Sequence, residues 1–94
     1  MVIKPSIGRV VWFWPSGRSQ AEHPGSQPLA AIVTYVWSDS MVNLTTFDAN
    51  GVPTPRTSVP LIQEGETLPT WAFCQWMPYQ IGQAKKHTAE AVPA

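Results

Sequence analysis

The chain is poor in charge, poor in cysteine and free of long apolar runs. Charged residues fill 13% of its 94 positions, six basic and six acidic, for a formal net charge of zero. A typical soluble domain carries about 25%. Without a basic excess there is no surface for tracking a phosphate backbone, which excludes long nucleic acid as a partner. No apolar run approaches the roughly 18 residues of a membrane-spanning helix, so no membrane partner is expected. The single Cys74 cannot form an intrachain disulfide, which argues against a stapled secreted scaffold. Met1 to Pro5 lacks the apolar core of a signal peptide, and a reducing, cytosolic setting is the expectation. At 44% apolar residues the chain is not a disordered one.

Chemistry-bearing clusters are equally scarce. Zinc needs ligands grouped at short spacings, whereas His23, Cys74 and His87 stand far apart in sequence. No metal or other cofactor is expected. Cys74, between Phe73 and Gln75 in an apolar run, reads as a small buried hydrophobe rather than a nucleophile. Glu64 and Glu66 fall in a polar loop, and Asp48 belongs to a turn. Gly17 and Gly25 are isolated and precede no helix, so they make no phosphate loop. No residue is nominated as catalytic, and the chain reads as non-enzymatic.

What is abundant is tryptophan and proline, five and ten residues respectively. Ile7 to Trp14 is β-branched and aromatic and predicts a first strand. Alternation puts Val10, Trp12 and Trp14 on one face and Arg9, Val11 and Phe13 on the other. With both faces apolar, this strand is expected to be covered on both sides or to lie at an interface. Residues 15–28 form a long polar loop. Leu29–Trp37 and Met41–Phe47 predict a hairpin across Ser38-Asp39-Ser40, with Tyr35 and Trp37 sharing the face of Ala31 and Val33. Asn50-Gly51 suits a turn with φ > 0, such as a primed hairpin turn. Val52–Ile62, broken by Pro53, Pro55 and Pro60, is placed at an edge, with Thr57, Val59 and Leu61 inward. Trp71–Met77 predicts the last strand.

Five short strands with a long first loop and tight central turns specify an all-β fold. The expected form is a small five-stranded antiparallel SH3-like barrel over residues 1–79. Residues 80–94 form a short C-terminal tail, partly ordered or helical over 80–91. So many large aromatics exceed what so small a core needs, so some should line a groove or an interface. Such surfaces stack on flat ligands, dock proline-rich peptides or seal oligomers. The low net charge leaves little repulsion between copies, and a homo-oligomer is expected.

Four strings resemble a family of small proteins encoded by tailed bacteriophages and prophages. They are Ile7 to Pro15, Leu29 to Val36, Val42 to Gly51 and Trp76 to Gln80, within a resemblance spanning Pro5 to Lys85. The resemblance implies a viral protein in the cytoplasm of a bacterial host, or in the virion, and implies no reaction. By analogy with other small phage proteins, its concrete form is a homo-oligomer that sequesters a nucleotide-type signal of host antiviral defence. Trp14, Tyr35 and Trp37 would stack on bases, Arg18 and Arg56 would meet phosphates, and Asn43 would read a base edge. The alternatives are a virion or assembly accessory protein, or an inhibitor that binds a host protein.

Overall fold

The computed structural model describes residues 2–15 and 27–91, with side chains through residue 86. Five strands, β1 (Val10–Trp14), β2 (Leu29–Ser38), β3 (Met41–Phe47), β4 (Pro53–Ile62) and β5 (Phe73–Gln75), precede one helix, α1 (Pro78–Ala91). The strands close in chain order into a barrel of the SH3-like, all-β kind. Four of the pairings are antiparallel. The pairing of β4 with β5, through Leu61↔Cys74 and Ile62↔Gln75, is parallel rather than antiparallel. A parallel neighbour cannot be reached by a tight turn, and residues 63–72 supply the crossover.

Alternation explains the core. Val11 and Phe13 from β1, Ala31 and Val33 from β2, Val42 and Leu44 from β3, Val59 and Leu61 from β4 and Cys74 from β5 are all buried and mutually packed, with Trp76 just beyond β5. Two expected facings fail, both at bulges. The β2–β3 register shifts between Val33 and Tyr35 and again between Val36 and Ser38. The first extra residue reverses the alternation. Val36 therefore packs against the core, while Tyr35 and Trp37, expected on the face of Ala31 and Val33, are 48% and 58% exposed. The β3–β4 register shifts between Val42 and Leu44, so that Thr57 and Ser58 together oppose Asn43. Ser58 takes φ 53° at this bulge. Thr57, expected inward, is exposed, and Arg56 shares the inner face with its partner Leu44.

The edge position expected for β4 holds for its first half. Pro53 and Pro55 lie opposite Phe47 and Thr45 of β3, and pairing with β5 begins only at Leu61. Prolines are tolerated there because their missing donors face no second strand. The β3–β4 turn differs from a primed hairpin turn. Gly51 N–H donates to Asp48 O, Asp48 N–H donates to Val52 O, and Asp48 Oδ1 accepts from the backbone of both Asn50 and Val52. Within this turn φ is positive only at Gly51, at 82°. The barrel's other end is tied by Gln63. Its side chain accepts from Ile3 N–H and donates to the carbonyls of Ile3 and Asp39, pinning the N-terminal segment beneath the β2–β3 turn.

The C-terminal segment is helical and starts at Pro78, two positions before the expected boundary. Proline is favoured at the first helical position, where no donor is needed. Gln80 Oε1 accepts from Met77 N–H at 2.8 Å, half of a capping box. Gln80 Nε2 donates to Val10 O at 2.7 Å and fastens the helix to β1.

Two substitutions test this account. Phe13→Ala, at a fully buried site, is expected to cost about 3–5 kcal/mol in urea unfolding. Gly51→Ala meets no atom within 4 Å, so its expected cost of about 1–2 kcal/mol comes from φ alone. A neutral result would mean that the turn relaxes.

Candidate functional site: an aromatic cleft beneath the helix

The outer face of the β1–β5 pair carries a second apolar layer. Trp12 pairs with Gln75 and Trp14 with Phe73, so these four side chains share the face opposite Phe13 and Cys74. Trp14 and Phe73 are buried although they lie outside the main core cluster. The outer face of β1 is thus buried at Trp14, half-buried at Trp12 and exposed at Val10, so only its inner face is fully covered.

A cleft of about 510 Å³ opens between this layer and α1. Its floor is Trp12, Trp14, Phe73 and Trp76. One helix face supplies the opposite wall through Pro78, Ile81, Gly82 and Lys85, at spacings of three and four residues. Leu68 and Glu64 from the crossover close the third side. Trp14 Nε1 donates to Gln75 Oε1 across the floor. Lys85 Nζ meets Glu64 Oε2 at 2.9 Å on the rim. Both partners are substantially exposed, and such pairs contribute at most about 1 kcal/mol. Lys85 is the one Lys or Arg among the described lining residues.

The six residues nominated from sequence do not form one site. Trp14 lies in the cleft. Tyr35, Trp37 and Asn43 sit together elsewhere, on the outer face of the β2–β3 hairpin. The Tyr35 and Trp37 rings meet edge to face at 4.7 Å. Trp37 Nε1 and Ser58 N–H both donate to Asn43 Oδ1, at 2.9 and 2.7 Å. The Asn43 carbonyl therefore holds the β3–β4 bulge. Arg56 turns inward: its guanidinium carbon stands 4.5 Å from the Phe13 ring centre, and its Nε donates to the buried Thr46 Oγ1 at 3.1 Å. That arrangement seals one end of the barrel and directs the charge away from Tyr35 and Trp37. Arg18 lies outside the described residues, as does His23.

Sequence reasoning missed Trp12, Phe73, Trp76, Ile81 and Gly82 as cleft residues. The signal for Trp12 was present, since it alternates with Trp14. The helix wall was hidden because the segment has little apolar periodicity. Cys74 is a free, buried thiol, pushed up to about 12 by burial against an ordinary value of 9.0. Its Sγ lies 3.4 Å from Pro60 O. Among the described residues no group of three or more His, Cys, Asp or Glu could hold a metal ion, and no helix is long and apolar enough to cross a membrane. No family model, curated protein or solved structure matches the chain.

Two outcomes are expected. The unfolded thiol ionises from pH 9.0 upward and the folded one only near 12. The fold therefore has the full benefit of the neutral thiol below pH 9 and loses it progressively as pH rises toward 12. Chemical unfolding across that range should show a downward slope that is reduced in Cys74→Ala, and thiol reagents should label native Cys74 only as fast as the barrel opens. Arg56→Ala is expected to lower stability by about 1–2 kcal/mol through the lost ring and hydroxyl contacts. Urea unfolding of an unchanged Arg56→Ala barrel would contradict the inward assignment.

Proposed function

We propose that this chain is a non-enzymatic binding module that holds a small, planar, nucleobase-type ligand in the cleft between β1–β5 and α1. The observation that carries this reading is the cleft itself, about 510 Å³ with Trp12, Trp14, Phe73 and Trp76 on one side and a helix face on the other. Pockets for small ligands span about 300–1,000 Å³, and aromatic walls give stacking energy without demanding one base. The ionisable side chains among the described lining residues are Glu64 and Lys85, which pair with each other. They supply no nucleophile with its base, in keeping with binding rather than turnover. One paired lysine also offers little to a row of phosphates. The ring enters the cleft and any phosphate stays at the rim, within reach of Lys85.

In its fullest form this reading follows the phage resemblance. The protein acts in the host cytoplasm, and its ligand is a nucleotide-type signal of host defence, withdrawn from circulation by tight binding. Thermal-shift measurement against a panel of nucleosides and linear and cyclic nucleotides tests it. At least one is expected to raise the melting temperature, with affinity of about tens of micromolar for a nucleoside-sized ligand. Gly82→Leu provides the control. A side chain at Gly82 meets open space and projects from the helix wall, so it fills the cleft without altering its floor. The shift is expected to vanish in Gly82→Leu. A panel without any stabilising member overturns the proposal.

The exposed Tyr35–Trp37 pair favours a second reading, in which the hairpin face packs against protein. Its partner is another copy of the chain, a virion component or a host factor. Light scattering of wild type against Tyr35→Ser/Trp37→Ser distinguishes self-association, and mass spectrometry of purified particles distinguishes a virion role.

A further inference from the structure

The cleft's floor contains one unexplained polar atom. Trp76 is 2% exposed, and its Nε1 is the one buried side-chain nitrogen or oxygen among the described residues that lacks a hydrogen-bond partner. Indole N–H can only donate, so it needs an acceptor. Buried donors left unpaired are costly and uncommon. The other indoles placed beside an acceptor use it, Trp14 on Gln75 and Trp37 on Asn43. Three of the polar side chains that line these spaces with Trp76 already have partners. Gln75 Oε1 serves Trp14, Gln80 Oε1 serves Met77 N–H and Gln80 Nε2 serves Val10 O, and Glu64 pairs with Lys85. The ring of Trp76 also borders two spaces, the cleft and a smaller one of about 310 Å³ on the side of Ile3, Arg9 and Tyr79.

We infer that the cleft selects a flat heteroaromatic ring bearing an in-plane acceptor, a ring nitrogen or a carbonyl, which takes the Trp76 Nε1 hydrogen. This rests on the cleft being the binding site, as proposed above, and adds the chemistry that discriminates among flat ligands. Stacking on Trp12 and Trp14 admits any ring. An acceptor directed at Trp76 distinguishes a nucleobase-like heterocycle from a hydrocarbon of the same shape, because only the former supplies a partner on insertion.

Quinoline and naphthalene make the test, since they match in shape and differ by one ring-nitrogen acceptor. Binding of each is measured to wild type and to Trp76→Phe, which keeps the apolar ring and removes the N–H. Trp76→Phe is expected to weaken quinoline about fivefold, the worth of one net hydrogen bond, and to leave naphthalene within about twofold. A parallel measurement needs no variant of Trp76. In ¹⁵N-tryptophan-labelled wild type, whose five indole signals are assigned through single Phe variants of Trp12, Trp14, Trp37 and Trp71, quinoline is expected to move the Trp76 indole proton downfield. Naphthalene is expected not to do so. Equal binding of both probes with an unmoved Trp76 signal overturns this inference and leaves the cleft as the binding site. Failure of both probes to bind the cleft overturns the site, and the inference with it.

Discussion

Three residue pairs, Trp12↔Gln75, Phe13↔Cys74 and Trp14↔Phe73, join the first strand to the last. The barrel closes through this short ladder, and so does everything outside it. Inward, the ladder sets Phe13 and Cys74 into the core. Outward, it aligns Trp12, Trp14 and Phe73 as the floor of the cleft beneath α1. β1 can pair on both edges and present apolar side chains on both faces because it carries β-branched and aromatic residues at every position. A charged residue on either face would cost either closure or the cleft.

The helix is the least secured part of this arrangement. Gln80 fastens its first turn at two points, to its own N-cap and to β1, and Ile81 packs against the core. Beyond them a surface ion pair, Lys85 with Glu64, links helix to crossover. Few buried contacts mean a low local opening energy. The outer wall of the cleft is thus its adjustable wall, while the floor is fixed by strand pairing. That division fits the binding role proposed above, with a rigid aromatic platform for stacking and a lightly held wall for entry.

The fold was largely legible in the sequence. Runs of β-branched and aromatic residues ended at Pro15, Ser38, Asp48 and Pro78, and each marked a strand or helix boundary to within a few positions. The prolines of β4 located its half-open stretch. Periodicity failed where bulges intervene: an extra residue at Thr34 reverses the facing of Tyr35 to Trp37, and the Thr57–Ser58 pair opposite Asn43 breaks the alternation between Arg56 and Val59, and neither leaves a compositional mark. The site was less legible for the same reason. Tyr35, Trp37 and Arg56 were grouped by residue type, whereas bulges send Tyr35 and Trp37 outward and turn Arg56 into the barrel. The surplus of tryptophan was a sound signal. Trp14 and Trp76 are buried, Trp37 and Trp71 are exposed, the latter by 62%, and Trp12 is half-buried in the cleft. Uniting Trp12, Trp14 and Trp76 took the β1–β5 register and a helix that the sequence marks only faintly.

The central claim is that ligands bind between the β1–β5 face and α1. Backbone amide shift mapping by NMR during titration with adenosine tests it most directly, because it reports location without depending on any substitution. The expected result is a saturable set of shifts confined to residues 12–14, 73–76 and 81–85, with the β2–β3 hairpin unmoved. Shifts centred on Tyr35, Trp37 and Asn43, or none at millimolar ligand, would contradict it.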